Sequence, residues 1–400
     1  MDQYMGFEQT RRCPARSAID LRRSSCGSHE TIARFAVMLA ILSCSACAPS
    51  ALLSYSSEQP PTVTLPVAQA GIVDARSAFA TVFASELGTA GDSHAESWLH
   101  GVAPGQPAPA TLAGNPAVAR FSAHAASTSV LIVGGLWDDC VSAQSVPFGD
   151  GITRSPERSA VEAYRQYDDL GLQSIRLVPV PGRASSAANG QLLADAIRAE
   201  AAQPNVKRIV LIGYSKGVPD LLHALAQLQR DGGVPRSLVA VISVAGAVMG
   251  TPLADSYQSA YEAVTPLVTP LDCTPSQGGD LASVTRRERI AWLTANPPPP
   301  GLAYYSIIAH VPLEELSPAL QWTGRLLASV DPRNDGQLVA ADAILPGSTL
   351  LAEARADHWN IALPLDRYPD RMVRAISFKQ SYPREALLRA ALKWAIGSAP

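Results

Sequence analysis

Gly213-Tyr214-Ser215-Lys216-Gly217 places a serine between two glycines, each two positions away. A serine raised on a turn this sharp can serve as a nucleophile if a base takes its proton and an acid holds that base in the right tautomer. The backbone N–H of Lys216 would lie beside the hydroxyl. A helix starting behind the turn favours negative charge developing there. Gly213 and Gly217 suit the turn because a Cβ at either position would strike the neighbouring strand or helix.

Of seven histidines, His310 and His358 follow Ser215 far enough along the chain to be weighed as its base. His358 stands in Arg355-Ala356-Asp357-His358-Trp359-Asn360, just past the β-type run 349–354, on a loop able to swing an imidazole over the serine. His310 ends a strand ahead of every good acid and reads as an ordinary loop histidine. The acid expected to orient His358 is Asp335, 23 positions earlier (358 minus 335), in the turn Asn334-Asp335-Gly336. Asp331 is the alternative, with a competing reading as a helix-end or turn aspartate; Asp342 and Asp357 rank below both.

These residues need a scaffold. Residues 209–212 are apolar and largely β-branched, the pattern of a strand buried on both faces. After the serine, Val218, Leu221, Leu222, Leu225 and Leu228 fall at helical spacing, and Pro219 occupies the first turn, where its missing N–H costs nothing. Further strands are expected at 130–135, 175–180, 238–244, 302–309 and 349–354. Helices are expected at 71–87, 158–170, 191–202, 252–264, 283–295 and 318–329. Strand and helix alternate from 130 to 245, which predicts an α/β fold: a mostly parallel sheet with helices on both faces. Residues 71–125 read as an N-terminal helical extension packed on a main domain of 126–400. Residues 251–300 interrupt the alternation with helical pieces and end in four prolines, as a cap or lid insertion would.

The chain has 400 residues, 47% of them hydrophobic and 17% charged, with a net charge of −3. That is ample for a large core and gives no basic surface for nucleic acid. Arg34 precedes the apolar run 35–43, which is too short to span a membrane at about 20 residues but has the length of an export-signal core. Residues 1–48 are therefore expected to direct export to the periplasm, the cell envelope or the outside. Ile41-Leu42-Ser43-Cys44 resembles a bacterial lipobox with Cys44 as the acylated residue; Cys47 and plain cleavage are the alternatives. Residues 49–70 are Ser/Pro-rich, a tether without its own structure. Two cysteines remain beyond the tether, Cys140 and Cys273, and in an exported chain they are expected to be bridged. No cysteine or histidine spacing suggests a metal, and no cofactor is expected.

Gly213-Tyr214-Ser215-Lys216-Gly217, Asn334-Asp335-Gly336-Gln337-Leu338-Val339 and Asp357-His358, in that order, resemble the α/β-hydrolase family and its lipase and esterase branch over about residues 125–400. The resemblance implies Ser215, His358 and Asp335 as a catalytic set acting through an acyl-enzyme. It implies an oxyanion site from the N–H of Lys216 and from the Gly135–Leu136 region after an early strand. The small-molecule or lipid ester it implies as substrate fits the apolar insertion. Lys216 departs from the small or apolar residue usual in lipases, and Gly134-Gly135 stands where His-Gly is common; the lysine is expected either to read an anionic group or to point to solvent. The alternatives are a non-catalytic envelope binding protein on the same scaffold, or a thioesterase or peptidase using the same three residues.

Overall fold

The computed structural model describes residues 71–89, 94–102, 116–136, 146–149, 162–264, 279–368 and 371–400. Residues 1–70, with Cys44 and Cys47, and the two cysteines Cys140 and Cys273 lie outside the described residues.

Seven strands form one sheet: β1 (Val73–Asp74), β2 (Thr128–Val133), β3 (Ser174–Leu177), β4 (Arg208–Tyr214), β5 (Leu238–Val244), β6 (Ala303–Ala309) and β7 (Thr349–Ala354). Their order is 1-7-6-5-4-2-3, and every neighbouring pair is parallel. The period of two explains why the strands look continuously apolar. Val130, Ile132, Val210 and Ile212 enter one core, while Leu131, Val133, Ile209 and Leu211 enter the other.

Helices α1 (Arg76–Thr89), α2 (Pro116–His124) and α9 (Arg384–Ser398) cover the first face, contributing Phe79, Phe83, Leu387 and Leu392 to its core. The second face is covered by α3 (Ser186–Ala201), α4 (Gly217–Arg230) and α6 (Arg286–Ala295), through Leu193, Ile197, Leu221, Leu225 and Leu293. The insertion contains α5 (Pro252–Val264) and α6. Its start is pinned to the residues before α6, where the Thr251 N–H donates to the Val284 carbonyl at 2.8 Å. Tyr257 of α5 lies against Trp322 of α7 (Gln321–Leu327), ring centroids 5.7 Å apart.

Several elements begin elsewhere than their periodicity suggests, for local reasons. Residues 73–74 pair with β7 as an edge strand, so the first helix starts at Arg76, whose N–H donates to Asp74 Oδ1 at 3.1 Å. Helix α3 starts five residues before the expected 191, because Ser185 caps it by accepting from the Ala188 N–H at 3.2 Å. Residues Glu162–Leu170 wind as a 3₁₀ helix, and the expected helix at 318–329 is a 3₁₀ turn, Pro318–Leu320, followed by α7. Helix α8 (Arg371–Ser377) and the long α9 are not among the elements expected from the sequence.

The topology fixes where chemistry can occur. Strand β3 lies outside β2, whereas β4 lies on its other side. The direction of progress across the sheet therefore reverses between β2 and β4, and the crevice at their carboxyl ends is the natural site for a ligand. Gly134-Gly135 follows β2 and Ser215 follows β4.

Candidate active site

Ser215 follows β4 directly and has φ of 54°, a left-handed conformation that a residue with a side chain adopts only when its surroundings compel it. The surroundings do so at three points. The Ser215 N–H donates to Val244 O at 3.2 Å, and its carbonyl accepts from Val218 at 3.2 Å and Ala247 at 3.1 Å. The glycines meet real obstacles: a Cβ on Gly213 would lie 2.8 Å from Val218 Cγ2, and one on Gly217 would lie 2.5 Å from both the Val133 and Gly134 carbonyl oxygens. The loop after β2 thus lies flush against the turn after β4. A Cβ on Gly135 would come within 2.9 Å of Ser215 Cβ and 3.3 Å of its Oγ, so the backbone of Gly135 backs onto the hydroxyl.

His358 Nε2 lies 2.9 Å from Ser215 Oγ, and its Nδ1 lies 2.7 Å from Asp335 Oδ2. A carboxylate only accepts, so Nδ1–H donates to Asp335 and Nε2 is left to accept from the serine hydroxyl. Asp335 and His358 are both buried. The other oxygen of Asp335 accepts from the N–H groups of Gln337 at 2.9 Å and Leu338 at 2.6 Å, and the Asp335 carbonyl accepts from the His358 N–H at 2.8 Å. Gly336 permits the turn with φ of 91°.

The remaining candidates are engaged elsewhere. Asp331 binds Arg333 through its side chain at 2.9 Å. His310 stacks on His100 with centroids 3.8 Å apart, in reach of Glu353. Asp342 pairs with Arg286, yet burial outweighs that partner and pushes its carboxyl up to about 6. Asp357 accepts from the Ser317 N–H and hydroxyl, the Trp359 and Asn360 N–H groups and the Asn360 amide, all between 2.6 and 3.1 Å. Burial pushes the Asp357 carboxyl up, and these donors pull it the other way. Its position makes it an anchor for the loop that carries His358.

Lys216 neither points to solvent nor faces the crevice with its ammonium. It is buried, with Nζ 2.9 Å from each carboxylate oxygen of Asp220 one turn along α4. The i,i+4 spacing is visible in the sequence, but only the fold shows that both ends are enclosed. Tyr214 carries no sequence signal for its role: its hydroxyl donates to the His358 carbonyl at 2.7 Å. Gly135 and Leu136 are described; Trp137 through Ser145 are not. Among the described residues no group of three or more His, Cys, Asp or Glu could hold a metal ion.

No family model and no curated protein sequence matches the chain. Among solved structures, the metagenomic carboxyl esterase MGS0156 is 31% identical, matching 84% of this chain and 96% of its own, with a TM-score of 0.67. The mature lipase BlEst2 of Bacillus licheniformis is 20% identical over 58% of this chain and 85% of its own (TM-score 0.44). EstA of Clostridium botulinum is 12% identical over 68% and 88% (TM-score 0.45). The chain belongs to the α/β-hydrolase family, among its carboxyl esterases.

Proposed function

We propose that this hydrolase cleaves carboxylic esters with Ser215 as nucleophile, His358 as general base and acid, and Asp335 as the group that orients His358. The observation that carries the reading is His358 bridging the other two, Nε2 on the strained Ser215 and Nδ1 on Asp335. His358 Nε2 takes the hydroxyl proton as Ser215 Oγ bonds to the acyl carbon. The charge that moves to the carbonyl oxygen is held by the N–H of Lys216 and by that of Gly135 or Leu136. Collapse of the adduct breaks the bond to the alkoxy oxygen, which leaves with the proton from His358. Water, deprotonated by His358, then attacks the acyl-enzyme, releasing the acid and restoring Ser215.

Small-molecule or lipid carboxylic esters are the proposed substrate class, supported by the likeness to a carboxyl esterase. The direct test is hydrolysis of p-nitrophenyl esters from acetate to palmitate by wild type and Ser215→Ala. Activity in the wild type with loss in the variant supports the mechanism; equal activity in both rejects it.

We also propose that residues 1–48 export the chain, with Cys44 acylated and 49–70 as tether, from the short apolar run after Arg34 and the lipobox-like Ile41-Leu42-Ser43-Cys44. Growth of a bacterial host with labelled palmitate tests this. Label on the wild type and none on Cys44→Ala is the expected result, and label on neither argues for plain secretion. Label retained on Cys44→Ala and lost from Cys47→Ala would move the site to Cys47.

A further inference from the structure

Lys216 supplies one of the two proposed oxyanion donors through its backbone, and its side chain does something unusual for that position. Both it and Asp220 are 1% exposed, and the ammonium contacts both carboxylate oxygens. The carboxylate is tied in turn to the neighbouring helix, because Asn189 of α3 donates through Nδ2 to Asp220 Oδ2 at 2.7 Å and to the Pro181 carbonyl at 3.0 Å. We propose that the buried Lys216–Asp220 pair is a positioning device for the oxyanion N–H, acting at the site assigned under Proposed function and resting on that assignment.

Three observations point this way. Lys216 is the N-cap of α4, and no side chain caps the helix there. A capping side chain would find little to bind there, since Pro219 has no N–H and the Val218 N–H already donates to the Ser215 carbonyl at 3.2 Å. The Lys216 side chain instead bridges the first turn to Asp220, and Asn189 fixes Asp220 to α3.

Electrostatics gives the second. A carboxylate one turn from the oxyanion would oppose the charge that develops in the transition state, and the ammonium beside it cancels that opposition. The residues packed around the pair do not take its contact with Asp220. Burial and the charges of Arg289 and Lys216 pull His223 down to about 3, so it is neutral, while Arg289, bonded to the Val248 carbonyl at 3.1 Å and lying over the Trp292 ring, acts on Asp220 as a further positive charge.

The third is thermodynamic. A buried ion pair seldom stabilises a fold more than an apolar pair of the same size, so stability alone gives little reason for charge here.

The test separates placement from stability. Lys216→Met leaves Asp220 without its cation and should lower both Tm and kcat. Lys216→Met/Asp220→Leu removes both charges and should bring Tm back to within a few degrees of wild type. On p-nitrophenyl butyrate its kcat should stay at least tenfold low with KM unchanged, and inhibition by a trifluoromethyl ketone should weaken by the same factor. Recovery of kcat to within twofold in that double variant would overturn the proposal. Should the double variant not fold, Asn189→Ala decides, with a severalfold fall in kcat at constant KM in favour and an unchanged kcat against. Wild type and Ser215→Ala are assayed beside them. If these two are alike, the catalytic assignment itself fails and takes this proposal with it; if they differ, the result for Lys216 stands by itself.

Discussion

The Tyr214 hydroxyl donates to the main-chain carbonyl of His358 at 2.7 Å, joining the residue before the nucleophile to the proposed base 144 positions later. The two rings lie 5.3 Å apart at 31°, so the tyrosine also packs beside the imidazole. Strand β4 and the loop after β7 are thereby held in register at the one place where a hydroxyl and an imidazole must meet.

Tyr214→Phe keeps the ring and leaves the buried His358 carbonyl without that donor, a loss of about 1–3 kcal/mol. Thermal unfolding should show that loss. Ester hydrolysis should show kcat lowered by roughly tenfold with KM little changed, as expected when a base is misplaced rather than removed. A wild-type kcat in a variant with lowered Tm would limit Tyr214 to a stabilising role.

Gly135 and Gly217 should fail in different ways. An alanine at 217 collides with two backbone carbonyl oxygens, which cannot move without disturbing β2, so Gly217→Ala should lower Tm strongly or prevent folding. At 135 the new methyl meets the Ser215 side chain, and Gly135→Ala should fold while losing on the order of 100-fold or more in kcat. Circular dichroism melts and steady-state kinetics on the two variants check the contrast.

Much of this is legible in the chain because it is local. The apolar run before Ser215 and the helical spacing after it, the Asn-Asp-Gly turn and the histidine after the last strand each follow from a few adjacent residues. The acid is ranked from its turn chemistry, and in the structure that turn directs two N–H groups at one carboxylate oxygen, leaving the other to His358. What escapes the sequence depends on distant partners. Nothing near Tyr214 announces a bond to residue 358, Val73–Asp74 become a strand only because β7 is there to pair with, and Lys216 reads as a solvent lysine until α3 is laid over it.

Asp357 holds the His358 loop by collecting donors from Ser317, Trp359 and Asn360. Asp357→Asn turns an NH₂ toward backbone N–H groups that can only donate and should cost about 1–3 kcal/mol. Urea unfolding measures that cost, and kcat should fall with it because His358 is the next residue. Full activity would show that the loop is held by Tyr214 and Asp335 alone.

Asp342 gives a pH dependence of definite sign. Its carboxyl is raised by burial from 3.8 to about 6, so the folded state holds this proton more tightly than the unfolded chain. Its contribution is neutral below pH 3.8, turns unfavourable as pH rises, and levels off above about 6 at a cost of ~3 kcal/mol, at about 1.4 kcal/mol per pH unit. Asp342→Asn has no such proton to lose. Its stability relative to wild type should therefore increase between pH 4 and pH 6.5, as read by urea unfolding at each pH; a constant difference would contradict the assignment.

The most direct test of the central claim is the site of covalent labelling by a fluorophosphonate. The purified protein, beside Ser215→Ala and His358→Ala, is treated with the probe, and the adduct is located by peptide mass spectrometry. The account predicts one adduct on Ser215 of the wild type and none on either variant. An absence of labelling in folded wild-type protein, or an adduct on another serine, would contradict it and return the chain to a hydrolase scaffold without this chemistry.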